Sequence, residues 1–318
     1  MRPELSRVPD LPQSRPLEWA DRAWLAPWLA AEPPGVSEMT FTNLLTWSDT
    51  HPVRLARLGD TLLFWRGPHE RGGVLPPLGA PLDAVGVRRA LEWAAGEGGP
   101  ARFFRVPEAT ARTLVAADGA LAARAERDHA DYVYRREELA TLAGRHYDGK
   151  RNLIKKFYKA ADAVFQPLDS ALAAECLRLQ SEWCADRGCS ENPDLDAEDH
   201  AVVRTLELWN ELPLRGGALL VGGPARRIAG FAVAERLTAD TAVIHFEKGS
   251  TLYPGVYQAL NQLVCERLLA DFEFVNREQD LGVEGLRKAK LSYRPVLLLE
   301  KFEVKAAGDA GPEISPKE

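Results

Sequence analysis

The 318-residue sequence predicts an α/β (α+β) fold of two lobes, each a mixed, mostly antiparallel sheet flanked by helices. Three observations carry that prediction. Three strand-like runs joined by tight turns occupy residues 218–248, and a helix, a strand, a helix and a strand follow them. Two amphipathic helices precede the three strands. The first half of the chain repeats a looser version of the same order.

The strands come first. Residues 218–221 (ALLV) form a short apolar run ended by Gly222-Gly223-Pro224. Residues 227–237 (RIAGFAVAERL) and 241–248 (TAVIHFEK) follow, separated by the turn-like 238–240, so the three runs read as an antiparallel meander. After a loop containing Gly and Pro, Val256, Leu260, Val264 and Leu268 recur at helical spacing. Residues 272–276 read as a strand, 285–291 as a helix and 296–302 as the last strand. Ahead of the meander, residues 170–186 and 196–212 read as helices, the second opening on acidic residues before an apolar stripe.

In the first half, residues 53–65 (VRLARLGDTLLFW) form a hairpin turning at Gly59-Asp60. Residues 82–95 read as a helix, 101–106 as a strand, 109–117 as a helix and 131–135 as a strand. The division is therefore an N-terminal lobe over 1–140, a C-terminal lobe over 141–305 and a disordered tail over 306–318. The two lobes share element order but no residue-by-residue repeat.

Composition narrows the function classes. The chain is 46% apolar and 27% charged, which supports a sizeable core. A net charge of −6 argues against a general nucleic-acid binder, so an anionic partner must meet a local basic patch. Cys176, Cys184, Cys189 and Cys265 show neither CxxC pairing nor histidines at metal-like spacing; they read as reduced thiols in a cytoplasmic protein, with no metal site. No apolar run reaches the roughly 18 residues of a membrane span. The dinucleotide GxGxxG, the P-loop lysine motif, the GxSxG elbow and the HExxH zinc motif are all absent.

Three constellations remain as carriers of chemistry. In NREQDLGVEGLRKAKLSYRP, residues 276–295, Asn276 and Arg277 end a strand, Gly282 and Gly285 flank a helix start, and Arg287 and Lys290 share one helix face. Glycines at such a turn let backbone approach a ligand, and a helix N-terminus with basic groups holds phosphate or carboxylate. A solvated face paired with Glu284 and Asp280 explains the same charges. In the second, HFEKG, His245 and Glu247 face one side of a strand and Phe246 and Lys248 the other. Glu247 can act as a general base or orient an amine, or it can be held in an ion pair by Arg277 or Lys248. His245 reads as a core or cross-strand residue. The third, RHYDGKRNLIKKFYK, runs from Arg145 to Lys159 with only Asp148 opposing its basic residues. It suits RNA phosphates or anionic lipid head groups, and equally an amphipathic helix that buries Leu153, Ile154 and Phe157. Trp183 and Trp209 read as core anchors on apolar helix stripes.

Several of these pieces together resemble a known family: DYVY at 131–134, GKRNLIKKF at 149–157, IHFEKG at 244–249, PGVYQALNQ at 254–262 and the 276–295 segment. The sequence is similar to the C-terminal domain of bacterial phosphatidylglycerol lysyltransferases, and more closely to its stand-alone DUF2156-like relatives. The resemblance covers about residues 41–302. It implies a tandem of two GNAT-like acyltransferase lobes, with the strands at 241–248 and 272–276 splaying to leave an acyl cleft. It also implies transfer of an aminoacyl group from charged tRNA to a hydroxyl or amine, phospholipid included, without a metal. The site residues are taken from the strand ends rather than from a residue-by-residue match to the family: Glu247, Asn276 and Arg277 as the expected catalytic group, and Lys248, Gly249, Tyr257, Arg287 and Lys290 as the expected donor-binding group. The loop from Gly249 to Gly255 departs from the spacing that binds the pyrophosphate of coenzyme A, which favours aminoacyl-tRNA over acyl-CoA as donor. A coenzyme A-dependent N-acyltransferase and a non-catalytic RNA- or membrane-binding module are the competing readings.

Overall fold

The computed structural model describes residues 3–67, 71–222 and 226–309. The predicted turn residues Gly223 and Pro224, and residues 310–318 of the tail, lie outside that description. The chain forms two compact units: Met1–Asp131, Gln279–Gly282 and Leu299–Glu318 in the first, Tyr132–Glu278 and Val283–Leu298 in the second. The divide therefore falls at Asp131/Tyr132, earlier than residue 140, and the C-terminal end belongs to the first unit.

In the first unit, strands β1 (Arg15–Pro16), β2 (Val53–Leu58), β3 (Thr61–Arg66), β4 (Gly73–Val74), β5 (Leu78–Gly79), β6 (Phe103–Pro107) and β7 (Leu121–Ala125) accompany helices α1 (Arg22–Ala31), α2 (Phe41–Thr46), α3 (Ala84–Gly96) and α4 (Glu108–Ala117). The predicted hairpin is β2 and β3, paired from Val53↔Arg66 to Leu58↔Thr61. Helix α3 starts where the Asp83 carboxylate accepts from the Gly86 N–H, satisfying a first-turn donor. Ala56, Leu63, Val87, Ala90, Phe103 and Leu114 make the core of this unit.

The second unit holds β8 (Asp131–Arg135), α5 (Arg136–Thr141), α6 (Asp148–Ala160), β9 (Ala163–Pro167), α7 (Ser170–Arg187), α8 (Pro193–Glu207), β10 (Arg215–Val221), β11 (Arg227–Arg236), β12 (Thr241–Gly249), α9 (Val256–Arg267), β13 (Phe274–Asn276), α10 (Glu284–Leu291) and β14 (Leu297–Leu299). Its sheet runs β14-β8-β13-β12-β11-β10-β9. The meander appears as β10–β12, antiparallel throughout. Caps define the two helices ahead of it. Asp169 accepts from Leu172 N–H at the start of α7, and Asn192 from Asp194 and Leu195 N–H at the start of α8, with Pro193 in the first turn. The apolar stripe of α9 (Val256, Leu260, Val264) packs with Ala232, Ile244 and Val275 of the sheet. Burying each such side chain contributes about 1.5–3 kcal/mol.

Several expectations are corrected. The run 296–302 is not one strand: β14 ends at Leu299, and β15 (Lys301–Ala306) inserts between β6 and β7 in the sheet of the first unit. Conversely, the strand at 131–135, assigned to the first lobe, pairs with β13 in the second. Strand periodicity says which face of a strand is buried, not which sheet receives it, and both errors have that source. Residues 306–309, expected in the tail, are ordered instead: β15 reaches Ala306 and a 3-10 turn runs over Ala307–Asp309. Finally, Cys184 and Cys189 are not free thiols. Gly188 ends α7 in a left-handed conformation, bringing their Cα atoms to 5.1 Å, and the two form a disulfide. Cys176 and Cys265 are free and buried. Among the described residues no helix is long and apolar enough to cross a membrane, and no group of histidine, cysteine and acidic residues could hold a metal ion.

Candidate active site

The central parallel strands separate. β12 and β13 pair at Thr241↔Phe274, Ala242↔Val275 and Val243↔Asn276, after which β13 ends. β12 continues from Ile244 to Gly249, paired with β11. Beyond Val243, therefore, the edge of β12 that faced β13 has no strand partner among the described residues, and the backbone past Asn276 turns away. The Asn276 carboxamide oxygen accepts from Glu278 N–H at 2.8 Å, and Glu278 takes a left-handed conformation with φ of 55°. A glutamate there costs roughly 1–3 kcal/mol, sustained only because its surroundings fix it.

That turn sends Arg277 across the gap to Glu247. Its Nε and Nη2 donate to one Glu247 oxygen at 3.0 and 2.6 Å, and the other oxygen accepts from Asn261 Nδ2 of α9 at 3.0 Å. The Arg277 guanidinium also lies 4.9 Å from the Tyr293 ring centroid and 5.8 Å from that of Tyr134. Burial disfavours its charge, but Glu247 and the two rings outweigh that and hold its pKa above the ordinary arginine range. Burial pushes the Tyr293 phenol up to about 12 against the pull of Arg277. Lys150 reaches the same ring at 4.1 Å, and its pKa is lowered by burial and then by the Arg277 charge. Two buried polar atoms here have no hydrogen-bond partner among the described residues: Arg277 Nη1 and Asn261 Oδ1.

One register step away, a second charged group is closed. β11 and β12 slip by one residue where Val233↔Phe246 is followed by Ala234↔Ile244, so His245 is the extra residue of a β-bulge. Its Nδ1 lies 2.8 Å from a Glu278 carboxylate oxygen and its Nε2 2.8 Å from one of Glu235. Burial opposes protonation, but the two carboxylates prevail and hold the His245 pKa up to about 10. His245 is thus a buried cross-strand residue, as expected, and a cation that anchors the Glu278 turn.

The other expected site residues separate into distinct roles. Lys248, on the opposite face of β12 from Glu247, is buried, pairs with Glu198 at 2.8 Å and sits 3.6 Å over the Trp183 ring. Burial lowers its pKa and Glu198 partly opposes that. Trp183 is consequently half-exposed and engaged with Lys248, rather than a core anchor. Its Nε1 donates to the Tyr257 hydroxyl, which donates to the Gly249 carbonyl at 3.1 Å. At Gly249 a Cβ would stand 2.8 Å from Val256 and 3.1 Å from the Tyr257 ring, so packing alone requires glycine. Lys290 is buried and donates to the carbonyls of Arg277 and Glu278, bracing the turn. Arg287, three residues earlier, is half-buried. The structure thus brings Glu247, Arg277 and, through the backbone, Asn276 and Lys290 together. Lys248, Gly249 and Tyr257 form a separate cluster with Trp183 and Glu198.

The 276–295 segment is itself divided. Asn276–Glu278 and the residues from Val283 belong to the second unit, whereas Gln279–Gly282 belong to the first. There Gln279 contacts Lys301 at 3.3 Å and Asp280 pairs with Arg127 at 3.1 Å. Lys301, wholly buried, is held by Glu38 at 2.6 Å and Asp131 at 2.7 Å, which locks β15 into the first unit. The basic stretch 145–159 forms α6; Ile154 and Phe157 are buried, while Lys155, Lys156 and Lys159 are exposed. Sequence reasoning missed Asn261, Tyr134 and Tyr293. Asn261 is concealed inside an apolar helix stripe, where a polar residue beside buried neighbours is the available signal.

The chain is thus a mixed α/β protein with two mixed sheets flanked by helices, as expected; the central parallel pair of the second sheet parts after three residues, and a charged bridge crosses the opening. Residues 30–305 match the family described as phosphatidylglycerol lysyltransferase, C-terminal, and the chain belongs to that family. Among solved structures, a conserved protein of unknown function from Bacteroides thetaiotaomicron VPI-5482 is 30% identical, with a TM-score of 0.82 over 92% of this chain and 98% of that one. The DUF2156 C-terminal domain of a protein assigned as a lysylphosphatidylglycerol synthetase from Agrobacterium fabrum shares the fold at 17% identity and a TM-score of 0.63, over 92% and 93% of the two chains. L-PGS from Bacillus licheniformis does so at 14% and 0.63, over 91% and 93%. No curated protein sequence matches the chain.

Proposed function

We propose that the chain transfers an aminoacyl or acyl group from an activated donor, aminoacyl-tRNA foremost, to a hydroxyl or amine acceptor such as a phospholipid head group. The observation that carries this reading is the parting of β12 and β13 with Arg277 fixed across the opening by Glu247. The acceptor oxygen or nitrogen attacks the ester carbonyl, charge gathers on the carbonyl oxygen, and the donor hydroxyl leaves with the proton that the acceptor gives up. What the protein must supply is orientation and stabilisation of that oxyanion. Arg277 is a buried, permanent cation, and the edge of β12 beyond Val243 has no strand partner among the described residues. Family membership supports the reaction class, and the Agrobacterium protein bears a name that refers to lysylphosphatidylglycerol synthesis. Lys155, Lys156 and Lys159 offer a polyanion contact, for tRNA phosphates or anionic lipid head groups, within the same reading.

The test is transfer of radiolabelled amino acid from a charged tRNA pool to lipid or amine acceptors by the purified protein. Label in an acceptor, abolished in Arg277→Met, is the expected result. Turnover only with acyl-CoA would replace the reading by the coenzyme A-dependent one. No transfer from any donor, with salt-sensitive RNA or vesicle binding lost in Lys155→Glu/Lys156→Glu, would replace it by a binding module.

A further inference from the structure

We infer that Asn261 is a specificity-determining residue that reads the free α-ammonium of the donor, so that the site distinguishes an aminoacyl from a simple acyl group. The inference rests on the transfer reading above and deepens it. The Glu247 carboxylate accepts hydrogen bonds on both oxygens and thereby orients two neighbours. Asn261 must turn its NH2 toward that acceptor, as it does at 3.0 Å, which fixes its carbonyl oxygen on the opposite side. Arg277 turns Nε and Nη2 toward the same carboxylate, which leaves Nη1 on the far edge of the guanidinium. The two atoms left over, an acceptor on Asn261 and a donor on Arg277, are buried and have no partner among the described residues. Asn261 as a whole is 1% exposed.

An unpaired buried acceptor and donor each cost about 1–3 kcal/mol, so a ligand that completes both gains from the fit. An aminoacyl ester carries the matching pair on adjacent carbons: ammonium hydrogens for Asn261 Oδ1 and a carbonyl oxygen for Arg277 Nη1. An acetyl or fatty acyl group supplies the carbonyl but leaves Asn261 unanswered. A site built to hydrogen-bond a donor discriminates strongly against the analogue that lacks it.

Calorimetric titration tests this with non-hydrolysable probes: the full set of proteinogenic L-aminoacyl 3′-amino-3′-deoxyadenosines and their α-N-acetyl counterparts. The unmodified protein should bind at least one free-amine compound on the order of 100-fold more tightly than its acetylated partner. Asn261→Leu, with a circular dichroism spectrum like that of the parent, should bring the two to similar affinity. Equal binding of both forms by the unmodified protein overturns the role of Asn261 and leaves the transfer reading standing. Binding of neither form overturns both. The comparison of ligands on the unmodified protein needs no variant to fold.

Discussion

Two charged groups sit two residues apart on β12 and differ in one respect. His245 has both ring nitrogens occupied by carboxylates, whereas the Glu247 group leaves Arg277 Nη1 and Asn261 Oδ1 without partners among the described residues. A buried polar network that is complete serves rigidity, and one that is incomplete has polar atoms left over for a further partner. The closed group supports the open one. His245 holds Glu278 in its left-handed turn, Lys290 holds the carbonyls of Arg277 and Glu278, and Arg277 is thereby aimed across the split.

That contrast makes graded predictions. Arg277→Met strips Glu247 of its cation in a mostly buried setting and should destabilise the protein by about 3 kcal/mol or more in urea unfolding, since breaking a buried pair strands the remaining charge. A negligible loss would mean that Glu247 is solvated and that the bridge is a surface feature.

His245 comes next and is tested by pH. Its folded pKa of about 10 exceeds the ordinary unfolded value of roughly 6.5, so its contribution is complete below pH 6.5 and is lost as pH rises toward 10. Unfolding free energy should therefore fall across that window, by at most about 1.4 kcal/mol for each pH step of one. In His245→Gln the fall should be flattened, and a parallel fall in both proteins would remove the imidazolium from the account.

Asn261→Leu should cost only about 1 kcal/mol, because it removes one hydrogen bond to a carboxylate and also one unpaired acceptor. A large loss would make Asn261 part of the closed group. Smallest of all, Lys155→Glu/Lys156→Glu lies outside both groups on the exposed face of α6 and should shift stability by less than about 0.5 kcal/mol while weakening salt-dependent polyanion binding.

Much of this is legible in the sequence, and the illegible parts share causes. Period-2 and period-3.6 patterns with their turn residues locate β10–β12, α7–α9 and the strand ahead of Arg277, because burial of one face writes itself into local spacing. The same spacing is silent on sheet membership, which is why it places β8 and β15 in the wrong sheets. Glu247 and Arg277 are visible as charges at strand ends, and their ion pair is among the readings the sequence offers and the one the structure shows; the Asn276–Glu278 turn and the left-handed glutamate that aim Arg277 are what no pattern announces. Lys290 and Lys248 look like ligand-holding cations. Their partners, two backbone carbonyls in one case and Glu198 with Trp183 in the other, are distant in sequence and close only after folding. The Cys184–Cys189 bridge depends on the left-handed Gly188 and likewise leaves no compositional trace.

Whether Arg277 stabilises the oxyanion is decided by single-turnover transfer from charged tRNA, comparing the parent protein with Arg277→Met at a temperature where both remain folded. The variant should bind donor but transfer on the order of 100-fold or more slowly, the scale of losing one oxyanion-stabilising group. Transfer by Arg277→Met at the parent rate would contradict it.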